Sequence, residues 1–372
     1  MREQKRKIFP EQGQALILVM LVLLVLALLG AASLTLTGTH GRTARYQRDL
    51  MQAYYTAEAG VERALIKIRE NPSWFAGLPE NSEVFSRVPY AGGEINEVRL
   101  TKTSAGIAAR AEITSVGKFG TAQKTLKVSA LVFGVSDLLK GASVLPGEPL
   151  NLRLTGNLSL SGEQGSGGVI FAVGGNLEVS GSSEIQADVY ASGSITGRDK
   201  ITGSVYPYYQ YIPPFPALDE LYYKDEAQRA GRYYSGNRNF GGGAYSGIYF
   251  VDGKLTISGT YNGKAIFVAK NIEIDGDLKA NTPDDLFTLI SFGDADIKNH
   301  EANALVIAAG AFRAQGNAIL RGGLLVQSMD VSGNVNIFCN PALAAQNPPP
   351  GFSFGSGGVK IESWEERYPV VS

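Results

Sequence analysis

Residues 248–276 read IYFVDGKLTISGTYNGKAIFVAKNIEIDG. A short apolar run is followed by a small or polar turn, a second alternating strand and a glycine. At Ala265 the unit begins again. The same pattern recurs in VIFAVGGNLEVSG from Val169, VYASGSITG from Val189, LVIAAGAFRAQG from Leu305 and LLVQSMDVSG from Leu324. Apart from one long interruption, successive units start roughly 17–23 residues apart, the spacing a solenoid produces. One unit is too small to bury its own apolar face, so stacking must supply the core. A β-sandwich has similar strands without the similarity between units. The pattern over 140–340 therefore predicts a right-handed parallel β-solenoid.

The interruption spans 207–247. It opens YPYYQYIPPFP, too rich in proline for a ladder. ALDELYYKDEAQRA (217–230) predicts a short helix with Asp219 and Glu220 at its start and Arg229 at its end. RYYSGNRNFGGGAYSG after it reads as a loop. The tyrosines gathered here suit either a cover over the stack or a contact surface. In the tail, 341–372, three consecutive prolines preclude regular helix, and Trp364 and Tyr368 are candidates to pin the end to the solenoid.

Upstream, within 80–137, Ile95–Thr103, Ile107–Val116 and Thr121–Val132 alternate with a period of two. Glycines mark the turns, giving a small antiparallel meander of three strands whose apolar face needs a cover. The nearest cover is the segment 14–72. There Leu50, Tyr54, Ala57, Val61, Leu65 and Ile68 form one helical stripe, ended by Asn71-Pro72. Ala57, Val61, Leu65 and Ile68 are the expected docking face. Gly38, Gly41 and Gly60 read as weak points of this helix.

The same helix begins in ALILVMLVLLVLALLGAASLTL (15–36), which holds no charged residue. As a helix it would reach roughly 33 Å, enough to cross a bilayer core. The preceding leader, MREQKRKIFPEQG (1–13), carries Arg2, Lys5, Arg6 and Lys7, which favours a cytoplasmic N-terminus and a single-pass topology with the bulk exported. A cleaved secretory signal has a shorter apolar core and needs no helical continuation. A leader cut just before the apolar run leaves the helix on the mature protein.

EQGQALILVMLVLLVLALLG followed by AYYTAEAGVERAL resembles the N-terminus of PilX-like type IV pilus assembly proteins, which are minor pilins or pseudopilins. The likeness covers about residues 10–70. It implies cleavage between Gly13 and Gln14 by a prepilin peptidase, methylation of the new N-terminus, and membrane and assembly contacts along Leu16, Leu18, Leu21, Leu24 and Leu28. It further implies other pilin-like subunits as partners and a final place at the cell surface or in a pilus. Major pilins carry a glutamate at the fifth mature position, where this chain has Leu18. That departure favours a minor or tip subunit.

The rest of the sequence bounds the chemistry. Across 372 residues the formal charge is −1, so no basic patch points to nucleic acid. One cysteine, Cys339, excludes an intrachain disulfide, and His40 and His300 are too few for a histidine metal site. β-Helices do host carbohydrate-active enzymes, and Asp275 with Asp277, Asp284 with Asp285, and Asp294 with Asp296 are the candidate carboxylates, Arg313 and Arg321 the basic partners. Asp275-Gly276-Asp277 straddles a turn, and Asp284-Asp285 follows Thr282-Pro283, so local hydrogen bonding is the simpler role. Calcium binding by these pairs lacks the usual spaced loop. The expectation is a non-enzymatic assembly subunit with no cofactor or metal, displaying the solenoid toward a surface or glycan ligand. A membrane-tethered carbohydrate-active enzyme and a plain membrane-anchored surface protein are the alternatives.

Overall fold

A computed structural model of the chain describes residues 12–163, 168–346, 349–354 and 358–367. It is mainly β with one long N-terminal helix, α1 (Gln12–Glu70). The leader up to residue 11, and Tyr368, lie outside the described residues.

The second half of α1 packs on an antiparallel sheet. Four of its strands follow in sequence: β1 (Asn81–Tyr90), β2 (Gly93–Ala105), β3 (Ala108–Phe119) and β4 (Ala122–Val132). The three alternating stretches are β2 to β4. The sheet adds two edges that the meander reading lacked. β1 pairs with β2, and a C-terminal strand, Val359–Arg367, pairs antiparallel with β4. Trp364 therefore packs with the core of this head rather than pinning the tail to the stack. Alternation decides which face is covered: Ala111, Ile113 and Ser115 are buried, while Arg110, Glu112 and Thr114 between them are half-exposed.

The repetitive region forms parallel ladders. Phe250 pairs with Val268, Val268 with Ile290, and Ile290 with Ile307, one rung per unit. These residues and Leu325 face outward, yet all are buried. Their neighbours Val251, Phe267, Leu289 and Val306 point into the central core. A strand buried on both faces needs a continuous apolar run, which is why IYFV, AIFV and LVIA do not alternate. The outer cover comes from the predicted helix, here Glu220–Arg229 with Asp219 capping the Tyr222 amide at 2.9 Å, and from Pro341–Gln346 and Phe354. Farther along the same face Ile170, Ala172 and Tyr190 pack against Ile107, Leu131 and Phe133 of the head.

The units do not stack in chain order. Ala142–Val144 is sandwiched between Phe171–Val173 on one side and Leu324–Val326, from the last unit, on the other. Asn157–Gly162 likewise pairs with Asn334–Cys339. From that seam the first units run outward to Val205–Tyr206. Residues 207–232 then carry the chain to the opposite end, where stacking resumes and returns to the seam. The loop expected after the helix is the first unit of this return. Tyr233–Ser235, Arg238–Phe240 and Gly243–Ala244 pair in parallel with Gly247–Asn262. At that end Phe240 and Tyr245 pack edge-on against Phe267 and close the core.

Candidate functional site: the assembly helix and its docking face

The first half of α1 is naked. Leu16, Leu18, Leu21, Leu24 and Leu28 are each 60–66% exposed, and from Leu16 onward none of the apolar run is buried against the described residues. By length and composition this helix can cross a membrane. Thr37, Thr39 and Thr43 donate their hydroxyls to carbonyls four residues back, at 2.8–3.0 Å. These three hydroxyls are therefore satisfied within the helix, which lowers the cost of apolar surroundings. Gly13 and Gln14 fall in the first turn of α1.

The second half is the opposite case. Ala53, Ala57, Val61, Ala64, Leu65 and Ile68 are fully buried, against Ile95, Val98, Leu100, Ile113, Leu126 and Val128. The four expected docking residues thus share one buried stripe. Small residues set its depth. A Cβ on Gly117 of β3 would collide with the backbone of Ala53 and Ala57. A Cβ on Gly60 would meet Ser115 Oγ and come within 3.0 Å of Ile95 and Val98. Gly60, weak in an isolated helix, is needed for this approach, whereas Gly38 and Gly41 have nothing within 4 Å of a built Cβ. Lys67 lies over the Trp74 ring at 4.1 Å and closes the end of the stripe.

Four of the six candidate carboxylates, Asp277, Asp285, Asp294 and Asp296, are engaged by neighbours in the stack. Asp294 accepts the Ala311 amide at 2.8 Å and pairs with Arg313 at 2.7 Å, which also lies 3.6 Å from Asp296. The Ala311 amide and Arg313 hold the Asp294 carboxyl below its ordinary range. Asp277 pairs with Lys279 at 2.9 Å and accepts the Glu301 amide at 3.1 Å. Asp285 accepts amides of Gly263 and Thr282. Arg321 pairs with Glu301 at 2.6 Å. No group of three or more metal-ligating side chains occurs among the described residues. His40 lies on the exposed part of α1, and His300 stands 3.8 Å from Asp277.

Sequence reasoning missed an asparagine ladder on the corners of the stack. Asn157 donates to Asn334 at 2.8 Å, Asn334 to Asn317 at 2.9 Å, and the Asn317 amide to Asn299 at 3.0 Å. At another corner Asn176 donates to Asn151 at 2.6 Å and accepts from the Ser194 amide. The signal was the dipeptide Gly-Asn, at 156–157, 175–176, 236–237, 316–317 and 333–334.

Residues 12–62 match the family described as PilX N-terminal. No curated protein matches the chain. Among solved structures, the competence-associated pilin ComZ from Thermus thermophilus aligns over 86% of this chain and 97% of its own, at 14% identity and a TM-score of 0.38. The family match falls on the naked half of α1 and the first half of its docking face, as far as Val61, and that segment of the chain is a type IV pilin-like N-terminus.

Proposed function

We propose that this protein is a low-copy subunit, placed at or near the tip of a type IV pilus or pseudopilus, that carries a right-handed β-solenoid outside the membrane. The observation that carries the reading is the change along α1 from a naked apolar half to a buried half within one unbroken helix. A membrane anchor alone needs only the first half. A subunit that moves from lipid into a bundle of neighbouring helices needs both, with the second fixing the load to the shaft. Prepilin peptidase cuts between Gly13 and Gln14, with the leader on the cytoplasmic side and the head and stack exported. Leu18 offers no carboxylate to a neighbour's N-terminus, which suits a position where no subunit follows. The solenoid serves as a rigid display for a surface or glycan ligand. The rungs that occupy Asp277, Asp285 and Asp294 support a structural rather than a catalytic role.

Co-expression with a prepilin peptidase, followed by N-terminal sequencing and fractionation of sheared filaments, tests this. The expected mature residue is Gln14, with the protein in the filament fraction at low copy number. An N-terminus left at Met1 or Arg2 would overturn the assignment. Turnover of a polysaccharide by the purified protein, abolished by Asp294→Ala, would replace it with the tethered-enzyme reading.

A further inference from the structure

The stretch of α1 between the apolar run and the head, up to Arg48, packs against none of the described residues and carries one sign of charge. Arg42, Arg45 and Arg48 follow one another at three-residue spacing, so they wind along one side of the helix. All three are exposed, and Arg48 is linked to Asp49 at 3.6 Å. No carboxylate occurs from Gln12 to Arg48. We propose that these arginines bind the phosphates of anionic phospholipid headgroups where α1 leaves the bilayer, and so set how far the helix sinks. This rests on the membrane-spanning reading of α1.

Position argues for lipid over a protein partner. At 1.5 Å per residue, Arg42 lies about 9 Å beyond Leu36, Arg45 about 13 Å and Arg48 about 18 Å. The headgroup layer is about 5–7 Å deep on each side of the hydrocarbon. The self-satisfied threonines let the helix enter that layer as far as Thr43. Arg42 then sits among the phosphates with its stem along the apolar boundary, as long cationic side chains do. Arg45 is within a Debye length of about 8 Å, and Arg48 lies at its edge. The attraction should therefore fall in the order Arg42, Arg45, Arg48.

The test uses the full chain reconstituted into bilayers of phosphatidylcholine with spin-labelled phosphatidylglycerol or spin-labelled phosphatidylcholine as reporter. The expected result is a severalfold preference for the anionic label. It should drop in 1 M salt, vanish in R42Q/R45Q/R48Q, and fall most in R42Q among single variants. A basic residue at a membrane surface is worth about fivefold at low salt, which bounds the single effects. Equal association of both labels overturns the proposal. So does a preference that survives the triple variant and disappears only when Arg2, Lys5, Arg6 and Lys7 are neutralised. If the triple variant keeps its lipid preference but no longer enters filaments, the stripe belongs to a neighbouring subunit and the proposal is again lost. Failure of the unmodified chain to float with vesicles would instead refute the membrane-spanning reading itself.

Discussion

At Gly117 the sheet approaches α1 so closely that the helix backbone occupies the place of a side chain. The contact is with main-chain atoms of Ala53 and Ala57, which cannot rotate aside. Gly117→Val should therefore lift the helix from the sheet and lower head stability by about 1–3 kcal/mol, as overpacking does. The contrasting variant is Gly41→Ala. It meets nothing, and it should raise helix stability by up to about 1 kcal/mol. Thermal melts of both proteins in detergent, followed by near-ultraviolet circular dichroism of the head aromatics, separate them. A Gly117→Val protein as stable as the parent would show that the close approach is unimportant. The stripe Ala57, Val61, Leu65 and Ile68 was legible from its spacing. The need for Gly60 and Gly117 was not, because it arises only when two distant segments meet.

Among the elements, the C-terminal strand is held by charged contacts. Glu362 accepts from Arg110 at 2.8 and 3.1 Å and from Ser129 at 3.1 Å, which ties the strand across β4 to β3. The Arg110 hydrogen bond holds the Glu362 carboxyl below its ordinary range. A depressed folded-state value means that the stabilisation is full above the ordinary glutamate pKa of about 4.3 and is lost as pH falls through the lowered value. Acidification from pH 6 to pH 3 should thus speed hydrogen exchange of the Val359–Arg367 amides more than those of β2. In Glu362→Gln that strand should exchange faster at pH 6 and lose most of the extra acid response. An unchanged acid response in the variant would mean another group governs the strand. Sequence alone gave no hint of this strand's partner. SWEER has strand character, but its pairing spans more than 200 residues, and no local pattern encodes it. β1 was hidden for a different, local reason: its Pro89 and irregular register with β2 break the alternation that betrayed β2 to β4.

For the molecule as a whole, the unusual feature is the seam, where the last unit of the stack meets the first. The repeat itself was legible, because each unit must bury its apolar face on a copy of the pattern. The order was not, because every unit offers a similar rung to every other, so unit similarity fixes stacking without fixing sequence order. What decides the order is the segment 207–232, whose helix Glu220–Arg229 covers the outer apolar face at Phe250, Val268 and Ile290 while it carries the chain back along the stack. If units followed one another in chain order, Asn157 and Asn334 would lie roughly 40–45 Å apart, at about 4.8 Å per unit. At the seam they are paired in register and joined by a 2.8 Å hydrogen bond. Asn157→Cys with Asn334→Cys should therefore form an intramolecular disulfide under mild oxidation, since neighbouring strands hold Cα atoms within bridging range. The native Cys339 is fully buried, and burial pushes its thiol up to about 12, so it should not compete. Non-reducing peptide mapping reads the bond directly. The bridged protein should also unfold at a higher temperature, because the link closes a loop of nearly half the chain. If the two cysteines stay reduced while the single variants fold normally, the permuted order is wrong and the stack follows the chain.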